Sequence, residues 1–143
     1  MIRVSTRGRY ALRAMVDLAL DGGGAPVLGQ EVAERQGISA DYVAQLFRTL
    51  GAAGLVEGVK GPGGGYRLAR DAADITAGEI VRAVEGSLAV VHCVDPEVGE
   101  LCERQATCAT HRLWEQLSAV MREYLDSVTL EDLREDAQDL AVE

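Results

Sequence analysis

The sequence predicts a mainly α chain with one small β-hairpin: a winged helix-turn-helix domain followed by a long dimerisation helix. Three observations carry that expectation. Apolar residues recur at helical spacing in three segments before Gly54. A turn rich in Gly and Pro, Gly61-Pro62-Gly63-Gly64-Gly65, separates two short strand-like segments. A stripe of Leu113, Leu117, Val120, Tyr124 and Val128 repeats every three or four positions.

Thr6 to Leu20 reads as the first helix, with Ala11, Ala14, Met15, Leu18 and Ala19 on one face. Asp21-Gly22-Gly23-Gly24-Ala25-Pro26 ends it. A short second helix, Gly29 to Gln36, buries Val32 and Ala33, and Gly37-Ile38 makes the turn. Ser39 is a natural N-cap for a third helix, and Asp41 in its first turn suits the helix dipole. Val43, Leu46, Phe47 and Leu50 form that helix's apolar stripe, which Gly51 and Gly54 close. Leu55 to Lys60 and Tyr66 to Ala69 flank the Gly/Pro turn as a hairpin, the wing. Thr76 and Glu79 have the spacing of a capping box, with Ile75 placed to staple onto Ile80, and this fourth helix stops near Gly86. Residues 87–110 lack sustained periodicity, which in a chain this short suggests a functional or a disordered loop. A long helix runs from about Thr110 to Val128, and its stripe can pack on its copy in a second chain. Thr129 caps a last, acidic helix. The division is then 1–86 as the winged domain, 87–111 as a metal- or cluster-binding loop, and 112–143 as dimerisation helix and acidic tail.

The net charge of −9 argues against a nucleic-acid partner only until it is split by region. Residues 1–70 hold nine Lys/Arg against six Asp/Glu, and residues 71–143 hold five against seventeen. A basic half joined to an acidic half fits one DNA-facing surface and one that avoids DNA. No apolar run approaches the roughly 18 residues of a membrane span, and the N-terminus lacks the apolar stretch of a secretion signal. The expected location is cytoplasmic. In a reducing compartment, clustered cysteines point to metal or redox chemistry before disulfides.

The chain's three cysteines, Cys93, Cys102 and Cys108, lie with His111 in one short stretch, at gaps of eight, five and two residues. Four such ligands suit a transition metal or an iron–sulfur cluster. Cys108 and His111, three apart at a helix start, can face one point. Asp95, Glu97, Glu100 and Glu103 surround the thiols and disfavour free thiolates, an obstacle that a bound cation removes. Three chemistries stay open: an iron–sulfur cluster, structural zinc on three Cys and one His, and metal-free thiols that sense oxidants. Zinc fits less well because the short C-x2–4-C knuckles of zinc sites are absent. His92 is an alternative fourth ligand, awkwardly placed beside Cys93.

On the DNA side, the third helix should enter the major groove. Ser39 and Tyr42 can donate to phosphates, Gln45 can read a base edge with adenine favoured, and Arg48 suits phosphate or guanine. The wing offers Lys60 and Arg67, with Gly63 and Gly64 allowing close backbone approach. Arg3, Arg7, Arg9 and Arg13 are further phosphate candidates. The absence of a CxxC pair and of a phosphate loop's Lys-Ser/Thr ending argues against an enzyme, and no small-molecule substrate is expected.

Ser5-Thr6-Arg7-Gly8-Arg9-Tyr10-Ala11, Arg35-Gln36-Gly37-Ile38-Ser39, Tyr42-Val43-Ala44-Gln45-Leu46-Phe47 and Val59-Lys60-Gly61-Pro62-Gly63-Gly64-Gly65-Tyr66 resemble the IscR, NsrR and CymR family of bacterial winged-helix transcription regulators. The likeness continues through His111-Arg112-Leu113-Trp114 to Val128-Thr129-Leu130 and is strongest to the IscR branch. It implies a homodimer built on the long helix and a 2Fe–2S cluster near the dimer interface, with Cys93, Cys102, Cys108 and His111 as ligands. A 4Fe–4S cluster or zinc would use the same residues. The Cys93–Cys102 gap is longer than this resemblance leads one to expect, and Lys60 stands where Arg is usual. Arg7-Gly8-Arg9 stands where the NsrR branch carries an acidic ligand, and the CymR branch lacks the cluster cysteines.

Overall fold

Helical spacing in the first half of the chain sorts onto buried faces. A computed structural model describes residues 3–22, 24–97 and 103–141. Helix α1 (Thr6–Gly22) buries Ala11, Ala14, Met15 and Leu18. Helix α2 (Gly29–Gln36) buries Val32 and Ala33, and α3 (Ala40–Ala52) buries Val43, Leu46, Phe47 and Leu50. These residues share one core with Leu55, Val56, Ile75, Ile80, Val84 and Leu130. Each fully buried large side chain contributes about 1.5–3 kcal/mol of hydrophobic free energy.

The turn between α2 and α3 needs a left-handed residue, and Gly37 supplies it at φ 68°, its N–H closing on the Ala33 carbonyl. Ser39 then accepts the Tyr42 N–H at 3.1 Å as N-cap of α3. Strand β1 (Val56–Val59) pairs antiparallel with β2 (Gly65–Leu68) in the register Val56↔Leu68 to Val59↔Gly65. Val27 and Tyr66 exchange two 2.8 Å backbone bonds, which moor the hairpin to the chain between α1 and α2. Phe47 meets the Tyr66 ring at a tilt of 51° with centroids 4.7 Å apart, so the wing also rests on α3.

Beyond a 3-10 turn at Ala72–Asp74, α4 (Ala77–Glu85) starts with the anticipated capping box: Glu79 N–H reaches the Thr76 hydroxyl at 3.1 Å, and Thr76 N–H reaches Glu79 Oε2 at 3.4 Å. Ile75 and Ile80 are both fully buried. Helix α5 (His111–Ser127) runs antiparallel to α4. Ala77 N–H donates to the Val128 carbonyl at 2.8 Å, and Arg82 holds Asp126 at 2.8 Å. Approach there is so close that a Cβ on Gly78 would fall 1.9 Å from Asp126 Oδ1. Helix α6 (Leu130–Ala141) then folds back against α1 and the Ala72–Asp74 turn, with Leu130 fully buried in the common core.

One buried charge fixes the helix-turn-helix. Asp17 on α1 is 4% exposed and accepts Arg35 Nη2 at 2.6 Å, Arg35 Nε at 3.0 Å and Gln36 Nε2 at 2.9 Å. A buried carboxylate needs that full set of donors. Because Arg35 is itself 42% exposed, the pair is partly screened. Asp17→Ala is expected to cost about 1–2 kcal/mol, read as a lower urea midpoint with an unchanged slope. An unchanged midpoint would show that the ion pair contributes nothing net.

Candidate functional site

The residues expected to contact DNA lie on α3 and its N-cap, on the wing and on α1. Gln45 and Arg48 are exposed on α3, and Lys60 is exposed at the end of β1. Ser39 spends a lone pair on its cap, leaving its O–H for a phosphate. Tyr42 is half-buried and meets the Tyr10 ring edge-on at 6.0 Å, so it braces α3 against α1 as well as offering a hydroxyl. Arg67 sits across the ladder from Glu57, with Nε 2.5 Å from the carboxylate, an exposed pair that leaves its Nη donors available to a phosphate. Arg13 is also engaged, donating to Gln36 Oε1 and the Gln36 carbonyl at 3.0 Å each and lying 4.9 Å over the Tyr10 ring. Arg7 and Arg9 are exposed on the first turns of α1. Gly63 takes φ 75° at the wing tip, and Gly64 packs so tightly that a Cβ would lie 2.1 Å from the Val59 carbonyl oxygen.

The start of α1 is tied to the end of α4. Ser5 N–H donates to Glu85 Oε1 at 2.7 Å, and a Cβ on Gly8 would lie 2.7 Å from the same oxygen. Arg7 and Arg9 are therefore positioned by the residue that immediately precedes Gly86, where the cysteine-bearing segment begins.

Cys93 lies in a second 3-10 turn, His92–Val94, that packs against α5. Cys108 and His111 flank the start of α5, where the His111 N–H reaches the Cys108 carbonyl at 3.3 Å. Cys102 lies outside the described residues. The Thr110 hydroxyl sits 3.2 Å from Cys108 Sγ. That contact, then the backbone amides of Thr110 and His111, and Arg104 more weakly, hold the Cys108 thiol below its ordinary pKa. Such a group favours the thiolate, the form that binds metal. His111 is 13% exposed, with Nε2 3.4 Å from Glu115 one turn on. Its other nitrogen, Nδ1, is buried with no hydrogen-bond partner among the described residues. A buried ring nitrogen without a partner is an open donor position. Two half-buried thiols on or against the helix that carries this nitrogen make a soft sulfur–nitrogen donor set, which fits an iron–sulfur or zinc centre. Among the described residues no three such side chains are already gathered at metal-binding distance. Spacing alone does not reveal Thr110 or Glu115 as neighbours of the ligands, although both lie within about one helical turn of His111.

Among the described residues, no helix is long and apolar enough to cross a membrane.

Residues 4–136 match the Rrf2 family, described as an iron-dependent transcriptional regulator. The chain is 43% identical over 135 residues to the HTH-type transcriptional regulator IscR of Photobacterium profundum, covering 94% of this chain and 77% of that one. Among solved structures it is similar to CymR, the global cysteine regulator of B. subtilis, with TM-score 0.78 and 36% identity over 94% of this chain and 98% of that one. It is similar also to T. potens IscR, with TM-score 0.77 and 40% identity over 96% of this chain and 90% of that one.

Proposed function

The chain belongs to the Rrf2 family of transcriptional regulators, and from that footing we propose that it is a homodimer whose operator binding is set by an iron–sulfur cluster, 2Fe–2S, held by Cys93, Cys102, Cys108 and His111. That it is a DNA-binding regulator follows from the family.

The observation that carries it is the open Nδ1 of His111 beside a thiol tuned toward thiolate, at the start of the helix on which the Cys93 turn packs. When bound, the cluster would supply a redox- and ligand-sensitive state. The protein's part is to tie that state to the DNA face. On one side the segment beginning at Gly86 joins Glu85 and the α1 start, and on the other it lies on α5. Along α5, Leu113, Val120 and Tyr124 are 54%, 61% and 68% exposed, an apolar stripe that a second copy of the chain would cover. In that dimer two recognition helices meet half-sites about one helical turn apart, or a multiple of it. The cluster changes affinity only as far as its two states differ in DNA contacts. The working division is 1–86 for DNA, 87–111 for the cluster and 112–143 for dimerisation and tail.

A metal-free thiol switch is the second reading, favoured by the lowered Cys108 pKa and by the likeness to CymR. Anaerobic purification with a visible spectrum and iron, sulfide and zinc assays separates the readings. A brown protein with about two iron and two sulfide per chain supports the 2Fe–2S centre. About four of each replaces the cluster type. A colourless protein with zinc selects a structural metal, and no metal after reconstitution selects the thiol switch.

The DNA face makes its own prediction. Gln45→Ala should relax preference at one base pair, worth about 1–3 kcal/mol of discrimination. Lys60→Ala should weaken all duplexes evenly and lower the salt slope by about one. Gel-shift titrations at several salt concentrations read both, and wild-type behaviour in both variants would move the DNA face elsewhere.

A further inference from the structure

We propose that Ser118 is a positioning residue that anchors the first cysteine segment to α5, and so sets how far Cys93 reaches toward His111. The proposal deepens the cluster reading above and, for its metal arm, rests on it.

Ser118 is the one buried residue of α5 among those described, at 1% exposure on a helix otherwise half-buried or exposed. A serine has little apolar surface to bury there. Its hydroxyl instead accepts the Val90 N–H at 3.1 Å, across 28 residues of sequence. Without it that amide would be part-buried and unpaired, which disfavours the docked segment.

The bond continues a progression. Ala77 meets Val128, Arg82 meets Asp126, and Val90 meets Ser118. Numbers rise on one side and fall on the other, so the chain leaving α4 keeps running along α5 toward its N-terminus. Ser118 and His111 are seven residues apart, two turns, on one helical face. Seven residues of helix span about 10.5 Å at 1.5 Å each. Cys93 is three residues past Val90, at most about 11 Å away even if the chain were fully extended, and the His92–Val94 3-10 turn, rising about 2 Å per residue, shortens that reach. Pinned at Ser118, Cys93 is therefore confined to the stretch of α5 between Ser118 and His111. Released there, the segment still has buried Leu88 and the packing of the His92–Val94 turn on α5 to place it.

The test compares wild type, Ser118→Ala and Ser118→Thr, the last keeping the hydroxyl. In metal-free protein, Val90 amide exchange should accelerate at least tenfold in Ser118→Ala, and the alkylation rate of Cys93 by iodoacetamide should change with it. In protein reconstituted with iron and sulfide, chelator-driven iron release should be about tenfold faster, the usual scale for a residue that supports metal ligands. Ser118→Thr should restore both. Unchanged Val90 exchange overturns the anchor. Faster exchange with unchanged iron release leaves a purely structural bond and overturns the positioning role. If wild-type protein takes up no metal, the cluster reading fails by itself, and the metal-free exchange and alkylation arms then decide the anchor alone.

Discussion

His111→Ala is expected to give a folded protein that fails to hold a stable iron–sulfur chromophore. The imidazole lies at the first position of α5, outside the common core, with one nitrogen near Glu115 and the other unpartnered among the described residues. The ring is 13% exposed but lies outside the common core, so the metal-free chain should lose about 1 kcal/mol, the ordinary scale of a point substitution. The proposed cluster, by contrast, would lose one of its four ligands. Cys102→Ala should behave alike, with the visible bands gone and the dimer retained. Reconstitution followed by absorbance and analytical gel filtration reads both properties. Full cluster absorbance in either variant would remove that residue from the site.

The second large effect is expected at the wing. A Cβ on Gly64 would lie 2.1 Å from the Val59 carbonyl oxygen and 2.8 Å from that of Gly61, both backbone atoms that cannot swing aside. Gly64→Ala must therefore open the turn, breaking the 2.9 Å bond from Gly64 N–H to the Gly61 carbonyl and disturbing the Val59↔Gly65 pair. Gly65, at φ 146° with the Val27 carbonyl oxygen 2.4 Å from where its Cβ would stand, transmits the distortion to the moored end of the hairpin. Stability should fall toward the upper end of the roughly 1–3 kcal/mol of overpacked sites. Duplex affinity should fall at least about tenfold, equivalent to 1.4 kcal/mol, since Lys60 and the turn backbone move together. Denaturation and fluorescence-anisotropy titration would show whether the two losses coincide; intact DNA binding would mean that the wing does not touch the duplex.

What the sequence reveals and what it conceals divides along contact range. The caps at Ser39 and Thr76, the stripe of α3 and the hairpin turn are local patterns within a few residues, and each is readable from spacing. The return of α6 onto α1 is not, because Leu130 reaches the core through partners far away in the chain and its helix looks like an acidic tail. Burial of Asp17 is equally hidden: an acidic residue on a helix reads as solvated until Arg35 and Gln36 are brought beside it. The Arg67–Glu57 pair is hidden too, because only the register places the two residues opposite each other. At the site, the start of α5 next to His111 is legible from its apolar stripe. The Val90–Ser118 bond is not, because nothing in either neighbourhood encodes the other.

The clamp between α4 and α5 also bears on entropy. Chain closure is a large part of what a metal centre must overcome when its ligands lie in a flexible segment. Here Arg82–Asp126 and the backbone bonds of Ala77 and Leu130 close the circuit before any metal arrives. Both ends of the cysteine-bearing segment are held at fixed separation by the metal-free fold. The remaining cost depends only logarithmically on the residues between ligands, about 0.6 kcal/mol for each doubling. In the proposed centre, the eight-residue interval between Cys93 and Cys102 would thus weaken chelation very little compared with a shorter one.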